Sequence, residues 1–307
     1  MVSELPLDQV RTLLAVVDEG TFDAAASALH VTPSAVSQRV KALEQRTGRV
    51  LLLRTKPVRT TESGEVVVRF ARQLARLERD ARAELGMSGA GEATRVSIAV
   101  NADSLATWFL GALTRVPREL RVGFELRRED EDHTAALLRE GLVMAAVTSS
   151  PDAVPGCSVR ALGRMRYLPV ANPEFRDVYL GGPLREALVE APVVTFDRLD
   201  DFQDTFVGRL GRGRGGGGAG AVRHLVPTSE GFLEAVAAGL GWGMVPEMQA
   251  APLIRAGRLV NFAPSRVVEV PLYWQQWRLD SPALAAVAGA VLEVAGEVLR
   301  AAPSPSP

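Results

Sequence analysis

Thr21-Phe-Asp-Ala-Ala-Ala-Ser-Ala-Leu-His-Val-Thr-Pro-Ser-Ala-Val-Ser-Gln-Arg-Val-Lys-Ala-Leu-Glu44 reads as a helix, a tight turn and a second helix. Thr21 has the side chain to N-cap the first helix, whose Ala24, Ala25, Ala26, Ala28 and Leu29 pack without bulk. Thr32 is placed to cap the second helix, with Pro33 at its first position, where a missing N–H costs nothing. Val36, Val40 and Leu43 then fall at i, i+4 and i+7 on one stripe that must be buried. Ser34, Ser37, Gln38, Arg39 and Lys41 are left outside. Short hydroxyls beside Gln and Arg are the side chains that read base edges in a major groove. Taken alone, the stretch would also fit an alanine-rich surface hairpin of helices.

The surrounding charge separates these readings. Between Val31 and Leu77 lie ten basic residues and only three acidic ones, in a chain whose net charge is −1. Positive charge concentrated around a helix-turn-helix is the footprint of attraction to a phosphate backbone. Arg54, Lys56 and Arg59 lie in Leu51-Leu-Leu-Arg-Thr-Lys-Pro-Val-Arg-Thr-Thr61, which reads as a short β-wing. The DNA-binding candidates are therefore Thr32, Pro33, Ser34, Ser37, Gln38, Arg39 and Lys41, with Arg54, Lys56 and Arg59 acting mainly on phosphates.

The chain of 307 residues is long enough for two or three units, and 47% hydrophobic with 23% charged residues suits a well-cored soluble protein. A single cysteine, Cys157, leaves no intramolecular disulfide and fits a reducing cytoplasm. Nothing resembles a secretion leader or a membrane span. His30, His133 and His224 are scattered and lack cysteine partners at ligand spacing, so neither a metal nor a cofactor is expected.

Downstream of the wing, Thr61 is placed to cap a long helix with Glu62 and Glu65 in its first turn. Val67, Phe70, Leu74, Leu77 and Ala81 recur at spacings of three and four, a dimerisation seam with Arg69, Arg72, Arg76, Glu78 and Arg79 expected in solvent. The division expected is 1–62 for the DNA-binding head, 63–91 for the linker helix and hinge, 92–300 for an α/β domain and 301–307 for a disordered tail. Within the α/β domain, strands are expected at Val96–Val100, Arg121–Arg127, Val143–Thr148, Arg166–Ala171, Ala191–Phe196, Val222–Pro227, Trp242–Val245 and Val268–Trp277. Helices are expected at Ser104–Val116, His133–Glu140, Ser229–Gly239 and Pro282–Leu299. Such alternation implies parallel units in two lobes, roughly 92–164 with 268–300 and 165–267, around a cleft at the strand carboxyl ends. The glycine-rich run within Gly208–His224 lacks a following Gly-Lys-Ser/Thr and reads best as a flexible connection.

The first 90 residues resemble the winged helix-turn-helix and linker helix of LysR-type transcriptional regulators. Phe22, Ala25, Ala26, Leu29, Ser34, Ser37, Leu43, Glu44, Gly48, Leu51, Arg54, Thr61 and Gly64 carry the resemblance, with Leu51-Leu-Leu-Arg54 a mild departure from the family's Leu-Phe-x-Arg. Val100-Asn-Ala-Asp-Ser-Leu-Ala-Thr-Trp108, Ala191-Pro-Val-Val-Thr-Phe-Asp-Arg-Leu-Asp-Asp201 and Leu272-Tyr-Trp274 resemble the branch that senses basic amino acids, the ArgP/LysG-like regulators. The resemblance implies an all-α winged helix-turn-helix with a long linker helix, followed by an α/β effector domain of two periplasmic-binding-protein-like lobes. It further implies a cytoplasmic homodimer or homotetramer on double-stranded promoter DNA, responsive to L-lysine or L-arginine, with RNA polymerase as a further partner and a basic amino-acid exporter as target.

The residues themselves admit such a ligand. Asn101-Ala-Asp103-Ser104 stands where a strand ends and a helix begins, suiting an α-carboxylate, while Asp103 can take the α-ammonium or cap the helix. A cation in a closed cleft needs a carboxylate partner, for which Glu129 is the first choice and Asp130 the second. Thr148, Ser149, Asp200, Asp201, Thr228 and Ser229 complete the candidates, with helix capping the simpler role for both aspartates. Trp108 and Trp242 read as core. Two other readings stay open at this level: a LysR-type regulator of a different effector, and a ligand-independent architectural DNA binder. An enzyme is disfavoured, because no Gly-x-Ser-x-Gly elbow occurs and Cys157 has no evident base.

Overall fold

A computed structural model describes residues 4–85, 87, 93–128, 131–211 and 218–301. The head contains α1 (Leu7–Glu19), α2 (Phe22–Ala28) and α3 (Pro33–Thr47). Thr21 Oγ1 accepts the Ala24 N–H at 3.1 Å and Thr32 Oγ1 the Ala35 N–H at 3.2 Å, so both expected caps form. Val36, Val40 and Leu43 are buried against Val10, Leu13, Val16, Ala25 and Ala26. Helix α1 adds to the sequence expectation; the spacing of Val10, Leu13, Val16 and Val17 is the amphipathic signal that marks it.

The wing is an antiparallel pair, β1 (Leu52–Leu53) and β2 (Arg59–Thr60). Glu44 fastens it to α3 by accepting the Leu51 N–H at 2.9 Å. Thr61 then caps α4 (Glu62–Glu84), accepting the Gly64 N–H at 3.0 Å while donating to the Val50 carbonyl at 2.7 Å. Gly64 is where helix and wing meet: a Cβ there would lie 2.0 Å from the Leu51 carbonyl oxygen.

Helix α4 runs 23 residues, about 35 Å at 1.5 Å per residue. Its arginines depart from the expectation of a solvated face. Arg76 is 4% exposed and donates to the Arg95 carbonyl, Arg72 pairs with Asp18 of α1 at 2.7 Å, and Arg69 donates to the Arg139 carbonyl at 3.1 Å. The reason is that α4 docks along the following domain, so this face serves backbone carbonyls rather than water. Val67 of the expected seam is buried in the head, whereas Phe70 and Leu77, together with Val66, remain exposed.

The first lobe comprises β3 (Thr94–Val100), a helical run from α5 (Ala102–Ser104) through a π turn (Leu105–Phe109) to α6 (Leu110–Leu113), β4 (Val122–Arg128), α7 (Glu131–Glu140) and β5 (Ala145–Thr148). The long strand β6 (Cys157–Ala171) crosses to the second lobe. There α8 (Pro173–Tyr179), α9 (Leu184–Glu190), β7 (Val193–Thr195), α10 (Phe202–Arg209), β8 (Arg223–Leu225), α11 (Ser229–Ala237), β9 (Gly243–Pro246), α12 (Glu247–Arg255) and β10 (Val260–Asn261) follow. Strand β11 (Val268–Trp277) returns beside β6 and leads into α13 (Pro282–Val298).

The sheet order is β10-β6-β11-β5-β3-β4, with β9 also on β6 and β7-β8 a separate pair. Among the described strands, the β3–β4, β3–β5 and β7–β8 pairs are parallel and the rest antiparallel. The parallel units expected in each lobe are present, and the strands that cross between lobes pair antiparallel, because β6 leaves the first lobe and β11 comes back. Trp108 and Trp242 are buried core residues, as read.

Two glycines give opposite expectations for thermal melts. Gly64→Ala forces α4 off the wing, costs about 1–3 kcal/mol as overpacking does, and lowers operator affinity. Gly111→Ala, with nothing within 4 Å of the added carbon, gains about 0.5–1 kcal/mol from helix propensity. Equal melting temperatures for the two variants would contradict the close approach at Gly64.

Candidate functional site

Ser34, Gln38 and Lys41 are exposed on α3 at i, i+4 and i+7, with Thr32 and Pro33 exposed at its start and Ser37 half-buried. Arg39 faces elsewhere: Nη1 donates to Thr12 Oγ1 at 3.4 Å and Nε lies 3.9 Å from Asp8, both on α1. Gln38 and Lys41 are therefore the long polar side chains that α3 presents outward there, and Arg39 braces α3 against α1. On the wing Arg54, Lys56 and Arg59 are exposed, and the Arg54 guanidinium lies 5.7 Å from the Phe22 ring centroid. Recognition helix and basic wing thus present their polar groups together, a surface for a groove and its flanking phosphates.

The second site is a cavity of about 320 Å³ between the lobes. Its floor is the N-terminus of the α5 run, its far wall the loop 196–201 and α11, and β6 passes through it. Asp103 is the centre. Its Oδ2 accepts the Tyr167 hydroxyl at 2.8 Å and its Oδ1 the Ser229 hydroxyl at 2.6 Å, so one carboxylate ties the first lobe to a crossing strand and to the second lobe. Ser229 Oγ also sits 3.1 Å from the Gln249 side-chain amide. A hydroxyl has one proton to give, and it goes to Asp103; the amide nitrogen of Gln249 is the atom that suits this position as donor.

Burial pushes the Asp103 carboxyl above its ordinary range, opposed by the Ser229 and Tyr167 hydrogen bonds and reinforced by Asp200 and Glu230. Asp200 is raised too, again chiefly by burial, against the Phe196 and Phe202 N–H groups that bond it. Asp197 and Asp201 complete four aspartates on the wall, and no Lys, Arg or His stands among the described lining residues. A hydrophobic side with Phe196, Phe202, Phe232 and Met244 can pack an aliphatic stem. The arrangement can hold an extended cation. The Cys157 thiol lies outside the cavity lining, buried and pushed up to about 11, mainly by desolvation.

Of the candidates read from sequence, Asn101, Asp103, Asp200, Asp201 and Ser229 line this cavity. Asp103 leaves its helix uncapped and serves the network instead. Ser104 is fully buried beneath, off the cavity. Thr148 is bonded to the Ser150 carbonyl and to Gln275, and neither it nor Ser149 reaches the cleft, because β5 sits deep in the sheet. Thr228 caps α11, accepting the Gly231 N–H at 3.1 Å, which frees Ser229 to face Asp103. Asp200, rather than Asp201, makes the bond at the start of α10. Glu129 and Asp130 lie outside the described residues. Tyr167, Phe196, Asp197 and Gln249 enter the site without a sequence signal, except that Asp197 shares the acidic loop with Asp200 and Asp201.

Residues 7–65 match the family profile described as bacterial regulatory helix-turn-helix protein, lysR family, and residues 89–296 the LysR substrate binding domain. The lysine export transcriptional regulatory protein LysG of Corynebacterium glutamicum is 45% identical over 294 residues, 95% of this chain and 98% of its own. The crystal structure of ArgP from Mycobacterium tuberculosis is similar at 46% identity with a TM-score of 0.87, covering 96% of this chain and 98% of that one. Full-length LysG from Corynebacterium glutamicum with bound effector Arg is similar at 44% identity with a TM-score of 0.84, covering 96% and 99%.

The raised Asp103 carboxyl sets a pH dependence in the ligand-free protein. Unfolded, Asp103 ionises in the ordinary carboxylate range; folded, burial opposes its charge, so its penalty to stability grows as pH rises through the higher folded value. Asp103→Asn never bears that charge. Its melting temperature relative to the parent protein should therefore climb as pH rises above the ordinary carboxylate range. A difference that is flat or falls with pH would show that Asp103 is not desolvated.

Proposed function

The chain belongs to the LysR family of bacterial transcriptional regulators, and from that premise we propose that it is a DNA-bound switch operated by a basic amino acid, L-lysine or L-arginine. The observation that carries this reading is the cleft charge: four aspartates, with no basic residue among the described lining. A ligand with an ammonium or guanidinium at each end of an aliphatic stem answers it. Asp103 takes the α-ammonium, Asn101 and the N–H groups at the helix start take the α-carboxylate, and the loop 196–201 takes the distal cation. Glu129 and, after it, Asp130 remain proposed contributors to holding the cation. Similarity to LysG, whose name records lysine export and whose structure holds Arg, supports both the ligand class and a basic amino-acid exporter as target.

Ligand closes the lobes on each other, and it shifts the protein only by its differential affinity for the closed arrangement. That changes the packing of effector domains and the spacing of paired heads, hence DNA bending and contact with RNA polymerase. The exposed Val66, Phe70 and Leu77 of α4 suit a homodimer or homotetramer. We place the protein in the cytoplasm, acting without catalysis; no helix among the described residues is long and apolar enough to cross a membrane.

Calorimetry tests the ligand. L-lysine or L-arginine should bind saturably and a neutral amino acid should not, while Asp103→Asn weakens binding at least about tenfold, the equivalent of 1.4 kcal/mol. Absence of heat with either basic amino acid, in protein that still binds DNA, would reject the effector.

Salt titration tests the head. Gln38→Ala should cost about 1–3 kcal/mol on the operator alone. Arg54→Ala should weaken every duplex alike and flatten the slope of log affinity against log salt by about one unit. A loss with Arg54→Ala confined to one operator would assign it to base reading instead.

A further inference from the structure

Arg69, Arg72 and Arg76 share one face of α4, and α7 ends on that face. Arg69 donates to the carbonyl of Arg139 and Arg72 to that of Glu140, the last two residues of α7, where helix carbonyls lack partners and the dipole is negative. Gly141, at φ +75°, ends the helix, and a Cβ there would lie 3.2 Å from the Arg69 Cα, so the turn rests directly on α4. Arg72 reaches further. Its other terminal nitrogen pairs with Asp18 of α1 at 2.7 Å, so one guanidinium holds head and body together from the helix between them. Its side chain is only 17% exposed, which limits screening by water.

The opposite end of α7 starts three residues after Arg128. The Arg128 guanidinium lies 5.9 Å from the ring centroid of Phe196, and Phe196 lines the cleft from the second lobe. Ten residues of helix, about 15 Å, therefore join the mouth of the cleft to the linker helix. Packed on β5 and β3 of the first lobe and clasped to α4 at its C-terminal end, α7 cannot follow a movement of that lobe without pulling on its clasp.

We infer that α7 is the lever between cleft and DNA-binding head, and that Arg72 is the positioning residue through which it moves α1 and with it α3. This rests on the reading of the cleft as an amino-acid site. Arg72 lies on α4, outside the cleft lining and off α3 and the wing; it determines how much one site knows of the other. Allosteric coupling is commonly about 5–150-fold, and removing the joint should bring it toward one. A lysine at this position keeps the charge but lacks the planar fork that serves both partners at once.

The test uses the full-length protein and a DNA duplex obtained by selection in vitro. Spin labels on Ser27→Cys and Glu119→Cys, both exposed, report head-to-body distance, with the buried Cys157 left in place. Arg72→Ala and Arg72→Lys should bind L-arginine and, without it, DNA as the parent does. The factor by which L-arginine changes DNA affinity should fall at least threefold toward one, and the distance distribution should broaden. Arg79→Ala, exposed on the same helix, should change neither. Parental coupling in both Arg72 variants would overturn the lever, and an unbroadened distance distribution would overturn the clasp. A parent protein that gives no heat with any basic amino acid would overturn the effector reading instead, and the distance measurement would still decide the clasp.

Discussion

A carboxylate removed from water must be compensated, and in this chain Asp103 is compensated across domain boundaries. Its two oxygens receive the hydroxyls of Tyr167, on a strand that crosses between lobes, and Ser229, on the second lobe. Neutral hydroxyls stabilise the charge without cancelling it, so burial still holds the carboxyl above its ordinary range. The cleft floor thereby holds a buried carboxyl with no basic residue among the described lining, and the lobes are already tied through the group that a cationic ligand would engage. Electrostatics and geometry of the site have one origin.

That origin depends on the sheet. Strand β6 is long enough to belong to both lobes, and β11 pairs with it over ten residue partners, with Leu162 bulged where the register shifts at Leu272 and Tyr273. Two crossing strands give a hinge that is continuous with the core on each side. The loop 196–201 is held in its own way, since Asp200 accepts the N–H groups of Phe196 and Phe202 and Asp197 those of Leu199 and Asp200. The acidic wall is therefore stiff before any ligand arrives, which lowers the ordering that binding must impose.

At the other end, α4 resolves a conflict between two uses of arginine. Positive charge near a helix-turn-helix attracts DNA, yet Arg69, Arg72 and Arg76 are engaged by carbonyls of the effector domain. On α3 and the wing, by contrast, Lys41, Arg54, Lys56 and Arg59 are exposed. Docking of α4 also divides its apolar residues, Val67 and Val68 going to the head while Val66, Phe70 and Leu77 stay outside.

The sequence by itself determined the head: Thr21, Thr32 and Thr61 cap where a threonine before an apolar period should, and Val36, Val40 and Leu43 are buried where the period places them. Those signals are legible because capping and amphipathicity act over three or four residues. It also singled out Asp103 and Ser229, each at the start of a helix, and both line the cavity between the lobes. Only the tertiary structure decided that they meet each other, 126 residues apart, with Tyr167 64 residues from Asp103. The same holds for Arg72, whose partners stand 54 and 68 residues away and turn an apparently solvated charge inward. Thr148 and Ser149 misled for the matching reason: alternation marks a strand end as polar, but which strand ends open onto the cleft is fixed by sheet order, and no local pattern encodes that.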